Sequence, residues 1–354
     1  MKRFLVLFTA AFLLIGCEND CGNCNNNKGE KMIAAKLFKK LDADKLQENI
    51  NSMKDVGVKQ LYIFPEQVYK TGAAEILDKS RIELWLIAPI FYNDENATLK
   101  NPEPKWAICD DGEIAQEKSK NGNWLKMVCP NDEEYLNYRI EYLKKALRQC
   151  EFTGVSLDFI RYFVFWESVF ENTDPKTLRN SCFCDVCIKK YEEFAQTNEI
   201  TEDKWTEFKC NTINEKVKKI LTDLRLEFPD LKANLHAIPW LKDDFDGAIK
   251  KIAGQDFSLL AKQLDQISPM VYSKMLNHDG AWINKVVSGI YNEISDKNVK
   301  ILPAVQIQKV YNGEVSITDF EDILKNSVKS PSAGVMIWQW EDLKDEQIKK
   351  IKEL

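Results

Sequence analysis

Asp158 is the residue whose type and position most invite chemistry. It closes the apolar run Gly154-Val155-Ser156-Leu157-Asp158, and Phe159, Ile160, Arg161 and Tyr162 follow directly. An acid at the end of a strand buried on both faces costs several kcal/mol unless it is paired or used. The plainer reading is an Asp158–Arg161 ion pair that only ties down the strand end. Against it stands the run Tyr162, Phe163, Phe165 and Trp166. It would wall the same mouth with the aromatic surface that sugar sites use.

Further polar groups close the other apolar runs. Glu66 sits in Pro65-Glu66-Gln67, Asp243 and Asp244 follow a fifth run, and Asp279 follows a sixth. Asn234, His236, Trp240, Tyr272, Gln306, Trp338, Gln339, Trp340 and Glu341 fall at or just past strand ends. Asn, His, Tyr, Gln and Trp converging on one mouth suit a neutral polyhydroxyl ligand better than an anionic one. His236 reads equally as a satisfied core histidine, and Trp338 as packing.

Such residues meet only if the elements carrying them share one end of a sheet. Short apolar strands alternate with amphipathic helices along the chain. The strands fall at residues 32–37, 59–64, 83–92, 154–161, 232–238, 266–272, 300–307 and 334–340. Helices are expected at 44–55, 73–79, 133–150, 204–228, 257–264, 282–294, 318–328 and 345–352. This alternation predicts a parallel sheet, and eight repeats in one domain favour an α/β fold of the (β/α)8 TIM-barrel type. Long insertions follow strands three and four. No G-x-G-x-x-G or Walker motif supports an open nucleotide-binding sheet. In barrels the active site lies at the C-terminal strand ends, where the candidates above gather.

The first residues set the compartment. Met1 to Arg3 carry charge, residues 4–14 are apolar, and Leu14-Ile15-Gly16-Cys17 follows. The run has the length of a signal peptide and is too short for a stable span. The tetrad resembles the lipobox of bacterial lipoproteins, which implies a signal peptide at 1–16, a lipid on Cys17 and a mature chain anchored at the cell envelope, on its periplasmic face or the cell surface. Residues 17–31, rich in Asn, Gly and charge and containing Cys21 and Cys24, read as a tether, and 32–354 as the barrel. The formal charge of −6, from 49 basic and 55 acidic residues interleaved throughout, argues against a nucleic-acid partner. Nothing in the sequence speaks to oligomeric state.

The segment from Gly154 to Tyr162, the cluster Cys182-Phe183-Cys184-Asp185-Val186-Cys187, Gln255-Asp256-Phe257, Ser268-Pro269-Met270-Val271-Tyr272 and Cys129-Pro130 together resemble a group of bacterial glycoside hydrolases built on the TIM barrel. The resemblance runs from strand three to strand eight. It implies cleavage of a glycosidic bond by paired carboxylates, one a general acid and one a nucleophile or base, with no cofactor needed for catalysis. The spacing Cys182-x-Cys184-x-x-Cys187 with Cys129 upstream is similar to the structural zinc site of zinc-carrying β-galactosidase barrels. Four thiolates leave a tetrahedral ion no open position, so such a zinc would staple the insertion after strand four. Disulfides drawing on Cys109, Cys129, Cys150 or Cys210, or free thiols, are the alternatives. The spacing differs from that of iron-sulfur radical enzymes.

The chain departs from β-glycosidase barrels, which close strand four with Asn-Glu and strand seven with Glu; here Asp158 and Gln306 stand at those places. A strand-four Asp is instead similar to the nucleophile of α-glucan and α-galactoside barrels. The expectation is therefore a glycoside hydrolase with Asp158 as nucleophile or oxocarbenium stabiliser, aided by Arg161, and with Glu66, Asp243 or Asp244 as proton donor. Tyr162, Asn234, His236, Trp240, Tyr272, Gln306 and Trp340 are the expected sugar contacts. Two rivals remain: a glycan-binding surface lipoprotein on a barrel that has lost its chemistry, and an enzyme using the zinc-thiolate cluster itself.

Overall fold

The structure, a computed structural model, describes residues 31–92, 103–311 and 313–354. The expected signal peptide, Cys17, Cys21 and Cys24 lie outside the described residues. Among those described, no helix is long and apolar enough to cross a membrane.

Nine strand segments form one parallel sheet. They are β1 (Met32–Lys36), β2 (Gln60–Ile63), β3 (Glu83–Pro89), β4 (Phe152–Asp158), β5 (Lys232–Ala237), β6 (Gln266–Pro269), β7 (Lys300–Ile301), β8 (Ala304–Gln306) and β9 (Gly334–Trp338). Neighbours run in the order β7-β6-β5-β4-β3-β2-β1-β9-β8, all parallel. The ends of that order, β7 and β8, are separated in the chain only by Leu302 and Pro303. They are two halves of one barrel position, interrupted where proline has no N–H for the ladder. The seam stays bonded: Leu302 N–H donates to Ile267 O and Met336 N–H to Pro303 O, both at 2.9 Å, and Met270 bridges to Ala304. Eight positions thus close into the expected (β/α)8 barrel.

Helices α1 (Ala43–Asp55), α2 (Pro65–Val68), α3 (Ala73–Ser80), α4 (Glu133–Leu147), α5 (Asp185–Ala195), α6 (Glu202–Arg225), α7 (Ala248–Lys251), α8 (Phe257–Leu260), α9 (Gly280–Glu293), α10 (Ile317–Ser327) and α11 (Asp345–Lys352) complete the chain. Their starts are written in the sequence. Asp42, Asp132, Thr201 and Asp279 each accept a first-turn N–H, and Ser316 with Asp319 forms a full capping box on α10. Asp279, considered above as an acid, is thereby a helix cap.

Strand alternation divides the residues into two shells. Outward side chains such as Ala35, Leu61, Leu86, Val155, Leu235 and Ile337 pack under the helices. Inward ones fill the barrel, one side with apolar Ala34, Tyr62, Trp85, Ile87, Leu302, Ala304 and Met336. The other side is polar and largely hydrogen-bonded within itself, with His236 Nε2 and Gln266 Oε1 left without a partner among the described residues. Asn234 Nδ2 donates to Ser156 Oγ at 2.7 Å, Ser156 Oγ lies 2.6 Å from His236 Nδ1, and Ser268 Oγ donates to Asn234 Oδ1 at 3.0 Å. Across the barrel, Gln266 Nε2 reaches Tyr62 Oη at 3.3 Å, and Tyr62 donates to Gln60 Oε1 at 3.0 Å. Gly154 leaves room for this filling, since a Cβ there would meet the Trp85 ring at 2.6 Å.

Three differences from expectation bear on the site. Strand four begins at Phe152 and stops at Asp158, because Phe159 turns into the left-handed region at φ 50°. Strand six stops at Pro269, which leaves Tyr272 in the loop beyond it. The insertion after strand four contains a helix, α5, that its polar composition concealed.

Candidate active site

A cleft of about 690 Å³ opens over the C-terminal ends of the strands, within the range of ligand-binding clefts. Asp158 and Lys36 line its floor, and both are nearly buried. Lys36, the last residue of β1, points inward with Ala34 and brings its Nζ to 3.8 Å from Asp158 Oδ2. The other carboxylate oxygen, Oδ1, accepts the N–H of Phe159 at 2.8 Å. A phenylalanine in the left-handed region carries strain of order 1–2 kcal/mol. It leaves Asp158 at the very end of its strand, and the displaced ring stacks on Tyr92 with centroids 4.8 Å apart.

The chain then runs through Arg161, whose Nη1 donates to the carbonyls of Tyr162 at 3.3 Å and Val164 at 2.7 Å, and reaches a one-turn helix at Trp166–Ser168. That turn delivers Glu167 into the cleft. Its Oε2 is closed to solvent and has no hydrogen-bond partner among the described residues. Burial pushes the Glu167 carboxyl up from 4.5 to about 7; the Arg161 guanidinium opposes this, and the charge of Asp158 adds to it. Two acids of opposite setting therefore share one cleft: Asp158 paired with an ammonium, and Glu167 held in its neutral form up to near neutrality.

Aromatic rings form two walls. On one, Tyr272 stacks on Trp338 at 4.5 Å and leans on Trp166 at 5.7 Å, and Trp338 meets Phe38 edge-on at 6.1 Å. On the other, Trp124 packs edge-on against Tyr92 and Phe159, and its Nε1 donates to Tyr311 Oη at 3.3 Å. Burial first, then the charges of Asp158 and Glu167, hold the Tyr272 phenol well above its usual value, so it stays protonated.

Of the residues singled out from sequence, Asp158, Arg161, Glu66, Tyr272, Trp166, Trp338 and Gln339 line the cleft. Glu66 accepts a hydrogen bond from Tyr142 Oη at 2.9 Å. Asp243 and Asp244 lie elsewhere. Asp243 is exposed beside Lys242, and Asp244 accepts the Leu241 N–H at 2.8 Å in a separate small cavity that Trp240 also lines. Asn234 and His236 sit inside the barrel, away from the cleft lining. Burial, then the charge on Lys36, keeps His236 neutral. Gln306 is buried and holds loops, accepting from Met275 N–H at 2.9 Å and donating to Gln308 O at 3.0 Å. Tyr162 is buried beneath Gly254, and Trp340 is buried while its neighbour Trp338 faces the cleft. Lys36, Arg139, Trp124 and Glu167 escaped the sequence reading. Glu167 had a signal: it ends the run Tyr162-Phe163-Val164-Phe165-Trp166, so the argument that marks Asp158, an acid closing an apolar run, applies to it.

The cysteine cluster lies beside this region. The insertion carrying Cys129 and the one carrying Cys182, Cys184 and Cys187 are joined by Asp110 N–H to Asn180 O at 2.9 Å and Phe183 N–H to Ile108 O at 2.8 Å. The four sulfurs lie within 4.8 Å of one another, with Cys129 Sγ 3.5 Å from Cys184 Sγ and 3.4 Å from Cys187 Sγ. A tetrahedral zinc with bonds of about 2.3 Å spaces its sulfurs by about 3.8 Å. The N–H groups of Asn131 and Ile108 and the Asn131 amide point at the sulfurs from 3.3–3.4 Å, as donors to thiolates do. No described cysteine is in a disulfide.

By sequence, the chain matches no protein-family description and no characterised protein. By structure it is similar to the PgaB (BpsB) glycoside hydrolase domain from Bordetella bronchiseptica, with a TM-score of 0.66 and 11% identity over 90% of this chain and 98% of that one. It is also similar to the catalytic domain of β-amylase from Paenibacillus polymyxa, with a TM-score of 0.58 and 9% identity over 91% and 97% of the two chains. A third likeness, TM-score 0.65 and 11% identity, is to a β-galactosidase from the haloarchaeon Halorubrum lacusprofundi, of which this chain spans 57%. At these identities the likeness is one of fold, and the fold is the (β/α) barrel that these neighbours share.

Proposed function

We propose that the chain is a glycoside hydrolase that cleaves an oligo- or polysaccharide in this cleft, with Asp158 and Glu167 as its two carboxylates. The observation that carries the reading is their contrast: a cation-paired Asp and a desolvated, protonated Glu facing one aromatic-walled space. Glu167 gives its proton to the glycosidic oxygen as the bond breaks. Asp158 attacks the anomeric carbon or stabilises the oxocarbenium charge that develops there. Arg161, whose charge acts on both acids, holds the positions of this pair. The sugar ring lies against Trp338 and Tyr272, and Glu66 accepts from a substrate hydroxyl.

Cys129, Cys182, Cys184 and Cys187 would hold one zinc, closed to substrate, which joins the two insertions and so fixes the loop that presents Glu167. The lipobox-like tetrad ending at Cys17 supports a lipid-anchored place at the cell envelope. Wild type, Asp158→Asn and Glu167→Gln, incubated with a panel of bacterial, host and plant glycans and read by product chromatography, test the reading. Both substitutions should lower product release by two orders of magnitude or more. Undiminished release by either variant refutes its assignment.

A further inference from the structure

Three cations are buried at this cleft with no carboxylate hydrogen-bonded to any of them. Lys36, Arg139 and Arg161 are 3%, 5% and 2% exposed. Arg161 spends its Nη1 on two backbone carbonyls, and Arg139 gives its Nη2 to Pro89 O at 2.6 Å while its Nε is buried without a partner. Lys36 makes no hydrogen bond to any described residue; its one ionic contact, Asp158 at 3.8 Å, is beyond hydrogen-bond length. Lys309 also lines the cleft, but it is paired with Glu314 at 2.9 Å.

Facing the three buried cations are Glu66, Asp158 and Glu167. Among these described residues only Lys36 and Asp158 come within ion-pair distance of each other, so Arg139 and Arg161 are left without a carboxylate in contact. Buried charge left without hydrogen-bonded counter-charge is costly, and unpaired positive charge at a cleft draws ligands of the opposite sign. A neutral sugar would leave the Lys36 ammonium without a hydrogen-bonded counter-ion. A carboxylate on the sugar would supply one.

We propose that the cleft takes a carboxylate-bearing glycan of the uronic-acid type, and that Lys36 receives that carboxylate while Arg139 and Arg161 supply the surrounding positive field. This rests on the glycoside hydrolase reading for the orientation of the sugar, and it replaces the neutral ligand expected from sequence. The aromatic walls carry the ring faces, and the floor reads the acid.

Calorimetric titration of the full-length chain tests this independently of turnover. The ligands are oligogalacturonate, a glucuronate-containing tetrasaccharide, a sulfated galactan oligosaccharide, neutral galactose and glucose oligomers, and chitosan oligomers. The wild type should bind a uronate oligomer at least tenfold more tightly than any neutral one. Lys36→Gln should weaken that binding roughly tenfold to a hundredfold and neutral binding by much less, Lys36→Arg should restore most of it, and raising salt should weaken the wild type more than Lys36→Gln. Melting curves identify a variant that has not folded, in which case the wild-type ligand ranking and its salt dependence decide. Preference for neutral or cationic oligomers, preference for sulfate over carboxylate, binding to no uronate oligomer, or an unchanged ranking in Lys36→Gln each overturns the proposal. Uronate binding without cleavage would keep this inference and refute hydrolysis; cleavage of neutral glycans alone would do the reverse.

Discussion

Replacing Glu167 by glutamine separates a catalytic acid from a packing residue, because the two roles predict opposite effects on stability. The Glu167 carboxyl is raised from 4.5 to about 7 chiefly by burial. Below pH 4.5 the group is protonated in both the folded and the unfolded chain and contributes no pH dependence. Between pH 4.5 and 7 the folded protein keeps a proton that the unfolded chain has released, so stability falls as pH rises through this window. Above pH 7 the folded protein holds a charge it solvates poorly. Over about 2.5 pH units at 1.36 kcal/mol each, the loss is on the order of 3 kcal/mol. Glutamine has nearly the shape of protonated glutamate and does not titrate. Urea unfolding followed by tryptophan fluorescence should therefore find Glu167→Gln within about 0.5 kcal/mol of wild type at pH 4.5, and more stable by about 2–3 kcal/mol at pH 8. The same variant should be the one that loses hydrolysis. Wild-type and variant stabilities that stay parallel from pH 4.5 to 8 would refute the claim that Glu167 is a desolvated acid.

Other consequences can be measured separately. Hydrolysis by the wild type should fall as pH rises past about 7, where Glu167 loses the proton it donates, and a rate flat to pH 9 would contradict that role. Cys129→Ser, or chelation of the wild type, should lower the melting temperature by several degrees and abolish a one-to-one zinc content, while the rate constant of the chemical step stays within a fewfold of wild type below the melting transition. Tyr62→Phe removes the hydroxyl that joins Gln60 to Gln266 across the barrel and should cost about 1–3 kcal/mol in urea unfolding. Trp338→Ala should raise KM about tenfold or more and lower kcat less, since it removes stacking on the sugar and leaves both acids in place.

The barrel was legible because its signals are local. Apolar runs, helix caps such as Asp42 and Ser316, and the regular alternation of strand and helix all lie within short stretches of chain. Asp158 was legible for the same reason: an acid closing an apolar run stands out in one window of sequence. Its partners did not, because they depend on where the insertions fold. Asp243 and Asp244 follow a strand as an acid should, but the loop after β5 carries them to a separate cavity. Glu167 lies in a loop whose path is set by its packing against Trp124 and Tyr311 through Phe165, contacts formed between residues distant in sequence. Lys36 fell inside the strand expected at 32–37 and carried no signal of its own. Only closure of the barrel brings β1 and β4, which are not neighbours in the sheet, to opposite sides of one floor.

The pairing of Asp158 with Glu167 is tested most directly by comparing substrates that do and do not need a proton donor. Once the cleaved sugar is known, its natural glycoside and its 2,4-dinitrophenyl glycoside are assayed with wild type, Glu167→Gln and Asp158→Asn. Glu167→Gln should lose the natural glycoside by two orders of magnitude or more and keep the dinitrophenyl substrate within about tenfold, because that leaving group departs without protonation. Asp158→Asn should lose both. Equal losses on the two substrates in Glu167→Gln, or retention of both in Asp158→Asn, would contradict the assignment of these two carboxylates.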